Sequence, residues 1–203
     1  KVLGRVMNFL SKRIKRLAVF AIILVSLSFI IGQSHSQNIN SEIPVENEDY
    51  VIFLKSREFL PEKGVDPSLL KLPPGNYHVF AQFYSIPTES QKKELENLGI
   101  KILEYFPNRA YATKVHPSKL REISSHPLVR ALFPIFPEDK ISPHLRQGLH
   151  FPWAIEGENI KLIVRFFPDV DFETAKQAIS SVGGVLMYEV PALNSAAISL
   201  PLP

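Results

Sequence analysis

From residue 77 onward the chain switches between two periods. Residues 77–84 alternate, with Val79, Ala81 and Phe83 on one face and Phe80, Gln82 and Tyr84 on the other, which is the two-residue repeat of a strand. Pro87 ends that run. Thr88 with Gln91 three residues later forms a capping box, because hydroxyl and amide can satisfy the orphan amides of a first helical turn. Leu95 and Leu98 fall on one helical face and Gly99 supplies a left-handed stop, so a helix is expected over 88–98. Strands are expected over 100–106 and 111–115, joined by a turn at Pro107 and Asn108. Pro117, Leu120 and Ile123 predict a second helix, closed by His126 and Pro127, and 129–133 a fourth strand. Strand, helix, strand, strand, helix, strand is an α+β, ferredoxin-like βαββαβ module with an antiparallel sheet. Two helices bury one sheet face and leave the other for docking.

The pattern then returns. Residues 161–167 place Leu162, Val164 and Phe166 where Val79, Ala81 and Phe83 stood. Asp171 can cap a helix carrying Phe172, Ala175, Ile179 and Val182, which Gly183 and Gly184 stop. Strands follow over 185–190 and 196–200, with a turn at 191–194. Phe83 to Phe166 is an offset of 83 and Pro107 to Pro191 one of 84, a near-constant spacing that predicts a duplicated module. The second copy, 159–203, still owes a helix and an edge strand, so it is expected to be truncated, with more protein following. Between the copies, 137–158 holds Pro137, Pro143 and Pro152 with mixed charge and reads as a linker of little regular structure.

Ahead of the first module, 1–36 reads as a secretion signal and 37–76 as a tether with an extra N-terminal strand over 50–54. Lys12, Arg13, Lys15 and Arg16 precede fifteen uncharged residues, 17–31, in the order of a signal peptide. Ser34 and Ser36 offer the small side chains a signal peptidase reads, which places cleavage between Ser36 and Gln37. An uncleaved anchor is the competing reading; a bilayer core asks for about 20 apolar residues. Met7, just before the basic cluster, is a candidate true start. The expected location is secreted or cell envelope, with membrane contact only through the signal.

Charge changes the picture once the leader is set aside. The chain carries 23 Lys and Arg against 20 Asp and Glu, a formal net of +3, but six of the basic residues precede position 37, where no acid stands. Seventeen basic residues then face the 20 acids, so the folded part has no electrostatic reason to seek nucleic acid. Zero cysteines exclude disulfides and thiolate metal sites.

Candidate chemistry is sparse. His35, His78, His116, His126, His144 and His150 show no metal-site spacing, and neither a GxSxG elbow nor a phosphate-cradling glycine loop occurs. His78 reads as a sheet-surface residue, His116 as a residue at a helix start, and Asp169 and Asp171 as helix-capping carboxylates. No catalytic, metal or cofactor site is expected.

Several stretches nevertheless carry a likeness. Residues 77–83, the helix ending Leu98-Gly99, the run 105–111, and the Val129 strand followed by Pro137-Glu138-Asp139-Lys140 resemble the N-terminal prodomain, or inhibitor, region of secreted subtilisin-like serine peptidases, the subtilases. Residues 169–172 and 191–195 resemble the part that often precedes the catalytic domain in such precursors, so the likeness spans roughly 50–203. No His precedes a Gly and no Gly precedes a Thr, so the triad contexts of the family are missing and only prodomain roles are implied. Those roles are templating and inhibiting a catalytic domain supplied in cis, downstream. A free-standing exported inhibitor and a non-enzymatic cell-surface scaffold or adhesion segment are the alternatives.

If the resemblance holds, the open sheet face is where the enzyme contact belongs: Phe80, Gln82 and Tyr84 in the first copy, Ile163, Arg165 and Phe167 in the second. The competing reading is that these residues meet the other copy or the extra strand near Tyr50.

Overall fold

The computed structural model describes residues 45–148 and 151–202, and the expected signal, with Ser34, Ser36 and Gln37, lies outside them. A small hairpin comes first, β1 (Ile52–Phe53) against β2 (Glu58–Phe59), then β3 (Gly64–Val65). The first module follows as β4 (Tyr77–Phe83), α1 (Glu89–Asn97), β5 (Ile100–Phe106), β6 (Ala110–Val115), α2 (Leu120–Ser124) and β7 (Val129–Pro134). Its sheet runs β3-β7-β4-β6-β5, antiparallel except where β3 lies parallel to β7.

Local chemistry explains most of these elements. Thr88 Oγ1 accepts from the Gln91 amide at 3.3 Å while Gln91 Oε1 accepts from the Thr88 amide at 2.9 Å, so the capping box forms as the spacing predicts. Gly99 stops the helix at φ 98°, a conformation that β-carbon sterics deny most residues. Val79, Ala81 and Phe83 pack with Leu95 of α1 and with Leu120 and Ile123 of α2, so both helices cover the same sheet face. Each such large side chain contributes about 1.5–3 kcal/mol by leaving water.

The described residues of the stretch 137–158 are more ordered than its prolines suggest. It carries a single helical turn, α3 (Pro143–Arg146), and a short strand, β8 (Ile155–Glu156). Gly157, at φ 58°, lets β8 turn straight back into β9 (Asn159–Arg165), with Ile155 opposite Ile160.

The second module continues with α4 (Phe172–Ser181), β10 (Val185–Val190) and β11 (Ser195–Pro201), in the order β10-β11-β9-β8. Asp171 caps α4 by accepting from the Thr174 amide at 2.8 Å. Val164, Phe166, Ala196 and Ile198 bury against Ala175 and Ile179 of that helix. The order β10-β11-β9 repeats β5-β6-β4. The bulge between Ile102 and Glu104 recurs between Leu186 and Tyr188, and the left-handed residues Asn108 and Arg109 have a counterpart in Asn194. The α+β class with antiparallel sheets therefore stands. Among the described residues no helix is long and apolar enough to cross a membrane.

Candidate functional site

The sheet face away from the helices is where the two modules diverge. Register fixes which residues share it. In the first module Phe80 lies opposite Ala112, which lies opposite Glu104; Gln82, Ala110 and Phe106 form the next row. In the second, Ile163, Ala197 and Tyr188 form one row and Arg165, Ser195 and Val190 the next. Each face is thus a trough, with small residues on the central strand and larger ones on the strands flanking it.

The first trough is filled. Ile52 of β1 shares a buried cluster with Phe80, Ala110, Ala131 and Phe133, flanked by Leu54, Phe59 and Phe106. Phe80 is 2% exposed and meets Phe106 edge-on at 5.0 Å. Gln82, fully buried, is the polar clamp on the same segment. Its Nε2 donates to the Tyr50 carbonyl at 2.8 Å and to the Asn108 carbonyl at 3.0 Å, and its Oε1 accepts from Arg130 Nη1 at 2.8 Å. The Asn108 side-chain amide donates to the Val51 carbonyl. Arg130 also donates to the Pro61 carbonyl at 2.9 Å and faces the Tyr50 ring at 4.5 Å; burial lowers its pKa from the ordinary guanidinium value. Arg57 holds the hairpin from the other side, through a two-point bond to Asp139 at 2.9 and 2.8 Å, stacked over Phe59 at 3.9 Å. As a free contact face, then, Phe80 and Gln82 are corrected: they are interior, covered by the N-terminal hairpin as the competing reading has it. Tyr84 stays exposed, edge-on to Tyr50.

The other end of the first face is covered by the second module. His78 Nε2 lies 2.8 Å from Asp169 Oδ1, and its ring stacks on Phe167 at 4.2 Å. Asp169 Oδ2 forms an ion pair with Lys114 Nζ at 2.9 Å. Arg165 reaches back to Glu104. Burial lowers the His78 pKa from its ordinary 6.5, with Lys114 and Lys140 adding to the effect and Asp169 opposing it. Burial alone would raise the Asp169 pKa, but bonds from Lys114 and His78 outweigh it and hold the carboxyl below its usual 3.8. Burial pushes Lys140 down to about 7 against the pull of Asp139 and Glu138.

Two expectations change here. His78 belongs to a buried intermodule pair rather than a sheet surface, and Asp169 serves that pair while Asp171 alone caps α4. Phe167, also expected on an open face, is sealed in the seam. His116 does start a helical turn, its Nδ1 accepting from the Ser118 amide at 3.3 Å. Sequence reasoning missed the seam and the Gln82 clamp. A signal existed for the second: a glutamine inside the otherwise apolar run 79–83 demands buried partners. His144 is exposed in α3 and His150 lies outside the described residues. Among the described residues no group of three or more His, Cys, Asp or Glu side chains is placed to hold a metal.

The second trough is open around Ala197, while its Ser195 end is buried beside the Arg165–Glu104 pair. Ile163 is 44% exposed and Tyr188 69%, with Val185, Val190 and Leu193 also outward. Its charges are spoken for: Arg165 by Glu104, and Lys161 by Glu156 at 2.9 Å.

Residues 44–135 match the family model described as a domain of unknown function, DUF8729. The matched segment starts just before the hairpin and ends just after β7, so it takes in the filled trough together with the segment that fills it. Comparison with curated proteins and with solved structures gives no match.

Proposed function

We propose that the chain is the prodomain segment of an exported subtilase precursor, a binder that templates and inhibits a catalytic domain in cis and performs no chemistry of its own. The order β7-β4-β6-β5, with α1 and α2 on one face, supports reading the first module as ferredoxin-like, and the matched strands, bulges and caps support reading the second as a partial duplicate. The observation that carries the binding role is the asymmetry between the faces. The first is consumed inside the chain, while the second presents Ile163, Tyr188 and Val190 to solvent, with its own Arg165 and Lys161 each in an ion pair. Exposed apolar surface of that kind marks a protein contact. Natively docked prodomain stabilises its enzyme by mass action.

The test is inhibition. Full chain titrated into a broad-specificity subtilisin with a chromogenic peptide substrate should suppress turnover in a saturable way, and Tyr188→Asp should weaken that suppression at least tenfold. Undiminished turnover with a folded chain in excess removes the prodomain reading.

A further inference from the structure

The seam between the modules gathers titratable side chains from four separate segments. His78 on β4 and Lys114 on β6 stand opposite each other in register, Lys140 closes the turn Pro137–Lys140 that follows β7, and Asp169 arrives from the loop ahead of α4. The His78 and Asp169 side chains are 7% and 2% exposed, and Lys140 is buried near enough to His78 to oppose a charge on it. Phe167 lies flat on the His78 ring at 4.2 Å. One carboxylate, Asp169, takes His78 at 2.8 Å and Lys114 at 2.9 Å. An ionised carboxylate only accepts, so a neutral His78 carries its proton on Nε2 and donates it to Asp169. A second proton, on Nδ1, sets three cations, His78, Lys114 and Lys140, around that carboxylate where water has little access, and charge buried in such surplus is costly. Asp139 and Glu138 pull on Lys140, but Asp139 is already engaged by Arg57 and Ser56.

That cost can be relieved without unfolding either module. The buried clusters around Phe83 and Phe80 belong to the first module and the cluster around Phe166 to the second, with no residue in common. The Phe167 ring spans the seam, with ion pairs of Asp169 to His78 and Lys114 and of Arg165 to Glu104. We infer that the seam is an acid-operated latch, in which a proton taken up by His78 parts the second module from the first, both staying folded, and turns Phe167 out to solvent. The sign follows from burial. Desolvation, with Lys114 and Lys140 adding to it and Asp169 opposing it, holds the closed His78 below 6.5, and hydration on opening returns it there. Opening therefore takes up a proton below pH 6.5. The His78 contribution to closure is complete above that value, and the closing equilibrium falls by at most about tenfold per pH unit until the closed value is passed. Asp169, held below 3.8, stays ionised through pH 5, and Lys140, at about 7, is largely charged by pH 6, so the change between pH 6 and 5 belongs to His78. The latch goes beyond the proposed binding role and is tested apart from it.

A chain with no cysteine of its own can be labelled cleanly at two introduced ones. Donor and acceptor dyes insensitive to pH, on Glu96→Cys of α1 and Ser180→Cys of α4, both exposed, report the distance between the modules in the full chain by energy transfer. Far-ultraviolet circular dichroism reports folding in the same samples. Transfer is expected to change between pH 6.5 and 5 with the ellipticity unchanged. His78→Gln keeps a neutral donor for Asp169 and should reduce that change at least fivefold. Lys140→Met removes a cation that faces His78 and should move the midpoint to lower pH by about half a unit. Transfer that stays constant from pH 8 to 5, that changes only with loss of ellipticity, or that changes alike in His78→Gln overturns the inference. Should His78→Gln already be open at pH 8, Lys140→Met decides, and an unmoved midpoint overturns the inference as well.

Discussion

The first and second modules share strand order, bulge position and helix cap, yet one hides Phe80 at 2% exposure where the other shows Ile163 at 44%. The difference lies in what arrives from outside each module. A hairpin of a few residues, inserting Ile52, converts one sheet face from surface to core, and the following module seals the remainder through Phe167 and Asp169. No described segment does the same for the second module. A sheet face is therefore core or surface according to what packs on it, and corresponding positions of the two modules differ in burial.

Equivalent substitutions should separate the copies most sharply at Phe80 and Ile163. Phe80→Ala is expected to cost about 3–5 kcal/mol in urea unfolding, the range for a buried aromatic, whereas Ile163→Ala should stay within about 0.5 kcal/mol. Similar losses at both would break the comparison. The next pair is Gln82 and Arg165. Gln82→Leu strands carbonyls and part of Arg130 in the interior and should cost about 2 kcal/mol, while Arg165→Leu, a partly exposed ion pair with Glu104, should cost no more than about 1 kcal/mol. At the helix caps the copies should behave alike: Thr88→Ala and Asp171→Ala each remove a bond to a first-turn amide and should cost about 1 kcal/mol.

A smaller effect is expected with pH. The folded pKa of His78 lies below 6.5, so the folded state resists the proton that the unfolded chain accepts. Its stabilising contribution is complete above pH 6.5 and is lost as pH falls from there through the folded value. Melting temperatures between pH 8 and 5 should therefore drop more steeply for the native chain than for His78→Gln, while Lys161→Gln, at the corresponding position of the second copy, should leave the slope unchanged. Parallel pH profiles for native chain and His78→Gln would remove His78 from the seam.

Most of the elements were legible in the sequence because their causes are local. Alternation in β4, the Thr88 and Gln91 box, and the stops at Gly99 and Gly183 each act within a few residues, and the strands and helices formed where these placed them. The prolines of the linker hid β8, whose cue was the single glycine at its turn. What decided the fate of the sheet face was long-range. His78 and Asp169 are 91 residues apart, and Gln82 reaches 32 residues back to Tyr50, so no periodicity could show either. Alternation places Phe80 and Gln82 together on one face, and burial of that face is a tertiary fact.

The most direct test of the contrast between a filled and an open trough is hydroxyl-radical footprinting of the intact chain, read residue by residue in peptide digests. Tyr188 and Ile163 should be modified near the rate of an unfolded control, and Phe80 and Phe106 many times more slowly. Equal protection at the four positions, or rapid modification of Phe80, would contradict the account.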